Sequence, residues 1–172
     1  ITRFQQEACT WSAMGTRFTE ESQRFRPSSK EDQVVQKAQE HFERTLISIQ
    51  GQLAGSVAAL ESSYADSELN YGEIFVRDNV PVMIYLLVQG RFAIVKQFLK
   101  VCLDLQSTSV QTRGVFPTSF VEEEGNLVAD YGQRSIGRIT SVDPSLWWPI
   151  LCWIYVKRSG DTDFGRSPEV QR

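Results

Sequence analysis

Residues 130–153, DYGQRSIGRITSVDPSLWWPILCW, decide how the rest of this chain is read. The stretch opens polar, punctuated by Gly132 and Gly137, and carries Arg134 and Arg138. It closes on an apolar run: Leu146, Trp147, Trp148, Ile150, Leu151, Cys152 and Trp153. Asp143 stands at the junction. Asp followed by Pro is a helix start, with Asp143 as N-cap and Pro144 at the first helical position. A carboxyl at the mouth of a buried helix, beside two tryptophans, also suits acid chemistry on a sugar. Apolar surroundings favour the protonated form of a carboxyl, which can then donate a proton. Indole faces stack on the C–H surface of sugar rings. The two readings are compatible, because a cap residue also faces the helix mouth.

From Pro144 to about Arg158 the helix is apolar almost all round, which predicts burial on most sides. Pro149 removes a backbone donor inside it and predicts a kink. Gly160 ends it, and Ser167-Pro168-Glu169 signals another helix start. Upstream, residues 115–121 (VFPTSFV) and 127–129 predict a small hairpin. Its tip is Glu122-Glu123-Glu124, read as solvated. Ile94, Val95, Phe98, Leu99, Cys102 and Leu105 give residues 92–105 a wide apolar helical face, and residues 107–114 read as a polar loop. At Gly90-Arg91 this helix joins an earlier one, opened by Pro81, as an antiparallel hairpin.

Just before Pro81 lies the second informative stretch, NYGEIFVRDNVP at 70–81. Ile74, Phe75 and Val76 are followed at once by Arg77 and Asp78. At a loop-to-helix junction both side chains reach a pocket; the alternative is a structural ion pair or turn. Nearer the start, Ser28 or Ser29 caps a helix whose Val35, Ala38, Phe42, Leu46 and Ile49 share one face. Gly51 ends it, so it is expected to pack on the core. Residues 53–60 suit a short strand and 62–69 a polar loop. Residues 1–27 form an arm ahead of a domain at 28–172.

A length of 172 residues supports a real core. The formal charge of −3 argues against general nucleic-acid binding. Three cysteines make no closed disulfide framework, and a lone His41 excludes a histidine-rich metal site, so no cofactor or metal is expected. The longest apolar run, near 144–156, is interrupted by Pro149 and is too short to span a membrane. With no signal-peptide layout either, the cytoplasm is the simplest compartment.

NYGEIFVRDNVP, IVKQFLKVCLDLQS, FPTSF, ADYGQRSIGRITSVDPSLWW and the closing SGD together resemble the cytosolic alkaline/neutral invertases of cyanobacteria and plants. The resemblance runs from about Leu46 to Arg172 with the spacing between blocks preserved. It implies an all-α dominated fold, part of an α/α barrel of helical hairpins with small β-hairpin insertions. It also implies hydrolysis of sucrose to glucose and fructose with inversion, and no metal. By the same resemblance Asp143, in the Val-Asp-x-x-x-Trp-Trp motif, is the proton donor, and Arg77 and Asp78 grip the sugar. Arg138, Trp147, Trp148 and Phe75 line the same pocket. Glu73 stands where members often have Gln, Gln133-Arg134 where plant members have Glu-Ser, and Pro149 at a usually aliphatic position. The family's catalytic glutamate motif is absent before Arg172, so the chain is expected to be the N-terminal part of such an enzyme, inactive alone and assembling into a homo-oligomer. Two other hypotheses stand beside this one: a non-catalytic helical assembly module, and an α/α-barrel glycosidase of another sugar.

Overall fold

The computed structural model describes residues 29–58, 72–133 and 141–171. The N-terminal arm, the loop at 62–69, Arg134 and Arg138 lie outside the described residues. Helices dominate, as expected, with two small antiparallel sheets. In chain order the elements are α1 (Lys30–Thr45), β1 (Leu46–Ile49), β2 (Gln52–Ser56), β3 (Ile74–Phe75), α2 (Val76–Val88) and α3 (Phe92–Asp104). There follow β4 (Ser119–Glu123), β5 (Asn126–Asp130), α4 (Asp143–Ser159), α5 (Thr162–Arg166) and α6 (Pro168–Gln171). β1 pairs with β2, while β4 lies between β3 and β5.

Ser29 caps α1 through a capping box. Its hydroxyl accepts from the Asp32 N–H at 3.1 Å, and the Asp32 carboxylate accepts from the Ser29 N–H at 3.0 Å. The helix then stops at Thr45, and Leu46 to Ile49 form a strand instead of its last turn. Gln50 and Gly51 both take positive φ, 52° and 76°, which is the two-residue turn that matches strand twist. A register break between Ile47 and Ser48 lets Leu46 and Ile49 both face inward, imitating a helical spacing of three. The expectation of a helix packed on the core is also corrected. α1 has no buried residue, and Val34 and Val35 are exposed. Phe42 alone among its large apolar side chains meets the core, edge-on to Tyr85 at 5.2 Å.

α2 begins five residues before Pro81 rather than at it. The Val76 N–H is satisfied by the Thr118 carbonyl at 3.0 Å, so the sheet starts the helix. The bond that Pro81 cannot make falls on Arg77, which is exposed. α2 and α3 form the expected hairpin, and both pack on α4. Met83, Leu86, Leu87, Val95, Phe98, Leu99, Cys102, Phe120, Leu151 and Tyr155 make the core. β2 lies directly over β3: a Cβ on Gly55 would sit 2.8 Å from two side-chain atoms of Ile74.

α4 starts at Asp143, with Val142 in the cap position and no side-chain cap bond, so Asp143 is not the N-cap. Nor is α4 buried on most sides. Pro144, Trp148, Leu151, Cys152 and Tyr155 face the core, whereas Leu146, Ile150 and Trp153 are exposed. An apolar sequence permits burial all round, but neighbours cover only one face here. Gly160, at φ 77°, closes the helix with its N–H on the Val156 carbonyl. Asp161 then caps α5 and joins three helices. One carboxylate oxygen accepts from Lys96 of α3 at 2.6 Å and from the Tyr155 hydroxyl of α4 at 2.8 Å. The other accepts from the Phe164 N–H at 3.1 Å.

Candidate active site

The first turns of α2 and α4 meet, and three residues singled out in the sequence meet there. The Arg77 guanidinium lies 3.5 Å from Asp143 Oδ2 through Nη1 and 3.5 Å from Asp78 Oδ1 through Nε. Asp143 is 30% exposed; Arg77 and Asp78 are about twice as open, at 62% and 60%. Asp143 is therefore the recessed member, with two outward charges beside it. Its Oδ2 is buried and accepts no hydrogen bond among the described residues, because the guanidinium stands too far off for a good one. Both carboxylates lie in the first turn of a helix, where the peptide dipoles favour negative charge.

Phe75 holds the entry to α2. It pairs with Ser119 across β3 and β4 and is partly exposed. The two tryptophans separate. Trp147 is 39% exposed on the outward side of α4. Trp148 is buried, stacked on Phe116 with ring centres 5.0 Å apart, and its Nε1 donates to the Leu99 carbonyl at 3.0 Å. As placed, Trp148 anchors α4 to α3, and Trp147 alone offers a face. Ser145 accepts from the Phe116 N–H at 3.2 Å, so the segment before β4 is also tied to the first turn of α4.

Some residues around the site were given no structural role in the sequence. Asn79 is buried and bonds to Ser56 and Phe75. Glu73 is buried too and accepts from the Ser119 hydroxyl at 2.6 Å. Among the described residues the buried Thr118 hydroxyl finds no hydrogen-bond partner. For Asn79 the available signal was one amide between Asp78 and the apolar run of α2. A depression lined by Gln106, Ser109, Gln111, Tyr131 and Gln133 lies elsewhere and holds none of these groups. Chemically, the arrangement offers a half-recessed carboxyl, a guanidinium and an open carboxylate for hydroxyl groups, and an indole face.

Comparison with known proteins bears on the same residues. Residues 38–172 match the alkaline and neutral invertase family. Alkaline/neutral invertase CINV1 of Arabidopsis thaliana is 36% identical over 151 residues, covering 81% of this chain and 27% of that protein. Cytosolic invertase 1 of Oryza sativa subsp. japonica is 35% identical over 151 residues, 81% of this chain and 27% of its own length. A mitochondrial neutral/alkaline invertase 1 of the same rice is 35% identical over 181 residues, 95% of this chain and 28% of its length. The relatives' names thus span more than one compartment, and the chain covers about a quarter of their length. On the extent of these matches, the chain belongs to the alkaline and neutral invertase family.

Proposed function

We propose that the protein carrying this chain hydrolyses sucrose to glucose and fructose by an inverting acid–base mechanism, with Asp143 as the general acid. What carries the reading is the meeting of Asp143 with Arg77 and Asp78 across two helix starts far apart in sequence. Membership of an invertase family supports the reaction class. Inversion needs a proton donor on one side of the glycosidic bond and a base activating water on the other, with roughly 6.5–9.5 Å between them. Asp143 donates to the leaving oxygen. Arg77 and Asp78 hold ring hydroxyls by charge-assisted bonds, which are short and directional. Trp147 stacks on the sugar, Phe75 and Arg138 border it, and Trp148 keeps α4 in place from behind. Asp78 leans on the same guanidinium as Asp143, which favours a place on the acid's side and a gripping role rather than that of the base. The base is then a further carboxylate of the whole protein. Two-helix hairpins such as α2–α3 are the repeating unit of the α/α barrel proposed for that protein. A cytoplasmic homo-oligomer is the proposed setting.

The test is Asp143→Asn in the whole protein. Asn keeps the shape but has no proton to give, so sucrose turnover is expected to fall by about two to four orders of magnitude. The ion pair lost with it is half exposed, so thermal stability is expected to change by no more than about 1 kcal/mol. Near-normal turnover in a folded Asn variant removes Asp143 from the acid role.

A further inference from the structure

We propose that Asn79, which the mechanism above does not use, is a positioning residue that fixes the first turn of α2 and so aims Arg77 and Asp78 at the sugar. The inference rests on that reading of the site. Asn79 is 1% exposed and directly follows two exposed residues. Its amide is fully engaged. Oδ1 accepts from the Ser56 N–H at 2.8 Å, and Nδ2 donates to the Ser56 and Phe75 carbonyls, each at 2.9 Å. This orientation alone puts both amide donors on carbonyls and the acceptor on an N–H.

The two bonds to Ser56 copy the exchange that one strand makes with its neighbour. Through them the helix start is fastened to β2. The bond to Phe75 closes the turn on itself, at a cap residue with no capping side chain of its own. Arg77 and Asp78 therefore lie between two held points, Phe75 before them and Asn79 after. Ser56 is itself fixed: its hydroxyl meets that of Thr45 at 2.8 Å, and the next N–H, on Val57, donates to the Thr45 carbonyl at 3.0 Å. The ion pairs of Arg77 are long and largely exposed, and pairs of that kind hold geometry weakly. The rigid reference for the gripping residues is thus the buried amide behind them.

Asn79→Ala and Asn79→Ser, each alone and combined with Asp78→Ala in the whole protein, test this. Asn79→Ala is expected to lower kcat/KM on sucrose by about 10- to 100-fold, mainly through KM, because misplaced contacts lose their orientation. Added to Asp78→Ala it should cost little more, since it acts through the same turn. Hydrogen exchange at the first-turn amides of α2 should quicken while that of α4 stays unchanged. The Ser variant, able to keep one bond, serves if the Ala variant does not fold. Wild-type kinetics in a folded variant, or losses that multiply in the double variant, overturn the proposal. A wild-type protein inert toward sucrose instead sinks the reading of the reaction, and unchanged exchange at the first turn of α2 would then still overturn the role of Asn79.

Discussion

Asp78 is the residue on which gripping and structural roles separate most cleanly. Its side chain is 60% exposed and its ion pair with Arg77 is 3.5 Å long, so it contributes little to folding. Asp78→Ala should therefore leave thermal stability within about 0.5 kcal/mol of the parent. If it holds a hydroxyl whose bond tightens as the ring flattens, kcat/KM on sucrose should fall by about 100-fold. Unchanged kcat and KM would reduce Arg77 and Asp78 to a structural pair. At this scale much was legible. Adjacent Arg and Asp before an apolar helix, and Asp-Pro before another, mark helix starts where charge can reach outward. Their meeting was not legible, because it depends on how α2 docks on α4. Which of the two tryptophans turns inward was not legible for the same reason: neighbouring indoles on a helix point about 100° apart, and only packing decides which one is buried.

Among the elements, α3, α4 and α5 share the Asp161 carboxylate, and its titration gives a testable signature. The bond from Lys96, then those from the Tyr155 hydroxyl and the Phe164 N–H, hold the Asp161 carboxyl down from its ordinary 3.8 to about 2. Burial, aided by the bond to Asp161, pushes the Tyr155 phenol from 10.0 up to about 12. A depressed carboxyl stabilises the fold above its unfolded pKa and loses that contribution as pH falls through the folded value. A raised phenol does so below its unfolded pKa and loses it as pH rises through the folded value. The cluster is thus at full strength between about pH 4 and pH 10. Asp161→Ala should cost about 1–2 kcal/mol at neutral pH, combining a lost cap with lost charged bonds. In thermal unfolding followed down to pH 2 the gap should narrow; a gap as wide at pH 2 as at pH 7 refutes the linkage. The helices themselves were largely readable from periodicity and caps. The β1–β2 hairpin was not, because Gly51 serves equally well after a helix or in a tight turn, and the register break hid the strand's period of two.

For the molecule as a whole, the decisive fact is how much apolar surface remains uncovered. Leu146, Ile150 and Trp153 face outward on α4, as do Ile84 and Val88 on α2. Expressed alone, these 172 residues should self-associate, since patches of this kind seek cover. They should also release no more glucose from sucrose than a heat-killed control, because on the proposed mechanism the base that activates water is a carboxylate elsewhere in the whole protein. A monodisperse monomer in sedimentation velocity refutes the first expectation; clear turnover refutes the second and makes Asp78 the leading candidate for the base. The helix-rich class was legible from composition and period, but an apolar helix looks the same in sequence whether its neighbours are present or not. One small feature reaches across all three scales. Gly55 brings β2 onto Ile74 at a distance that leaves no room for a Cβ, and the next residue is the Ser56 that grips Asn79. Any side chain at position 55 would lift that strand and slacken the helix start. Selection acting on the hydrolysis proposed for the whole protein would therefore fall on a position that offers no chemistry, only thinness.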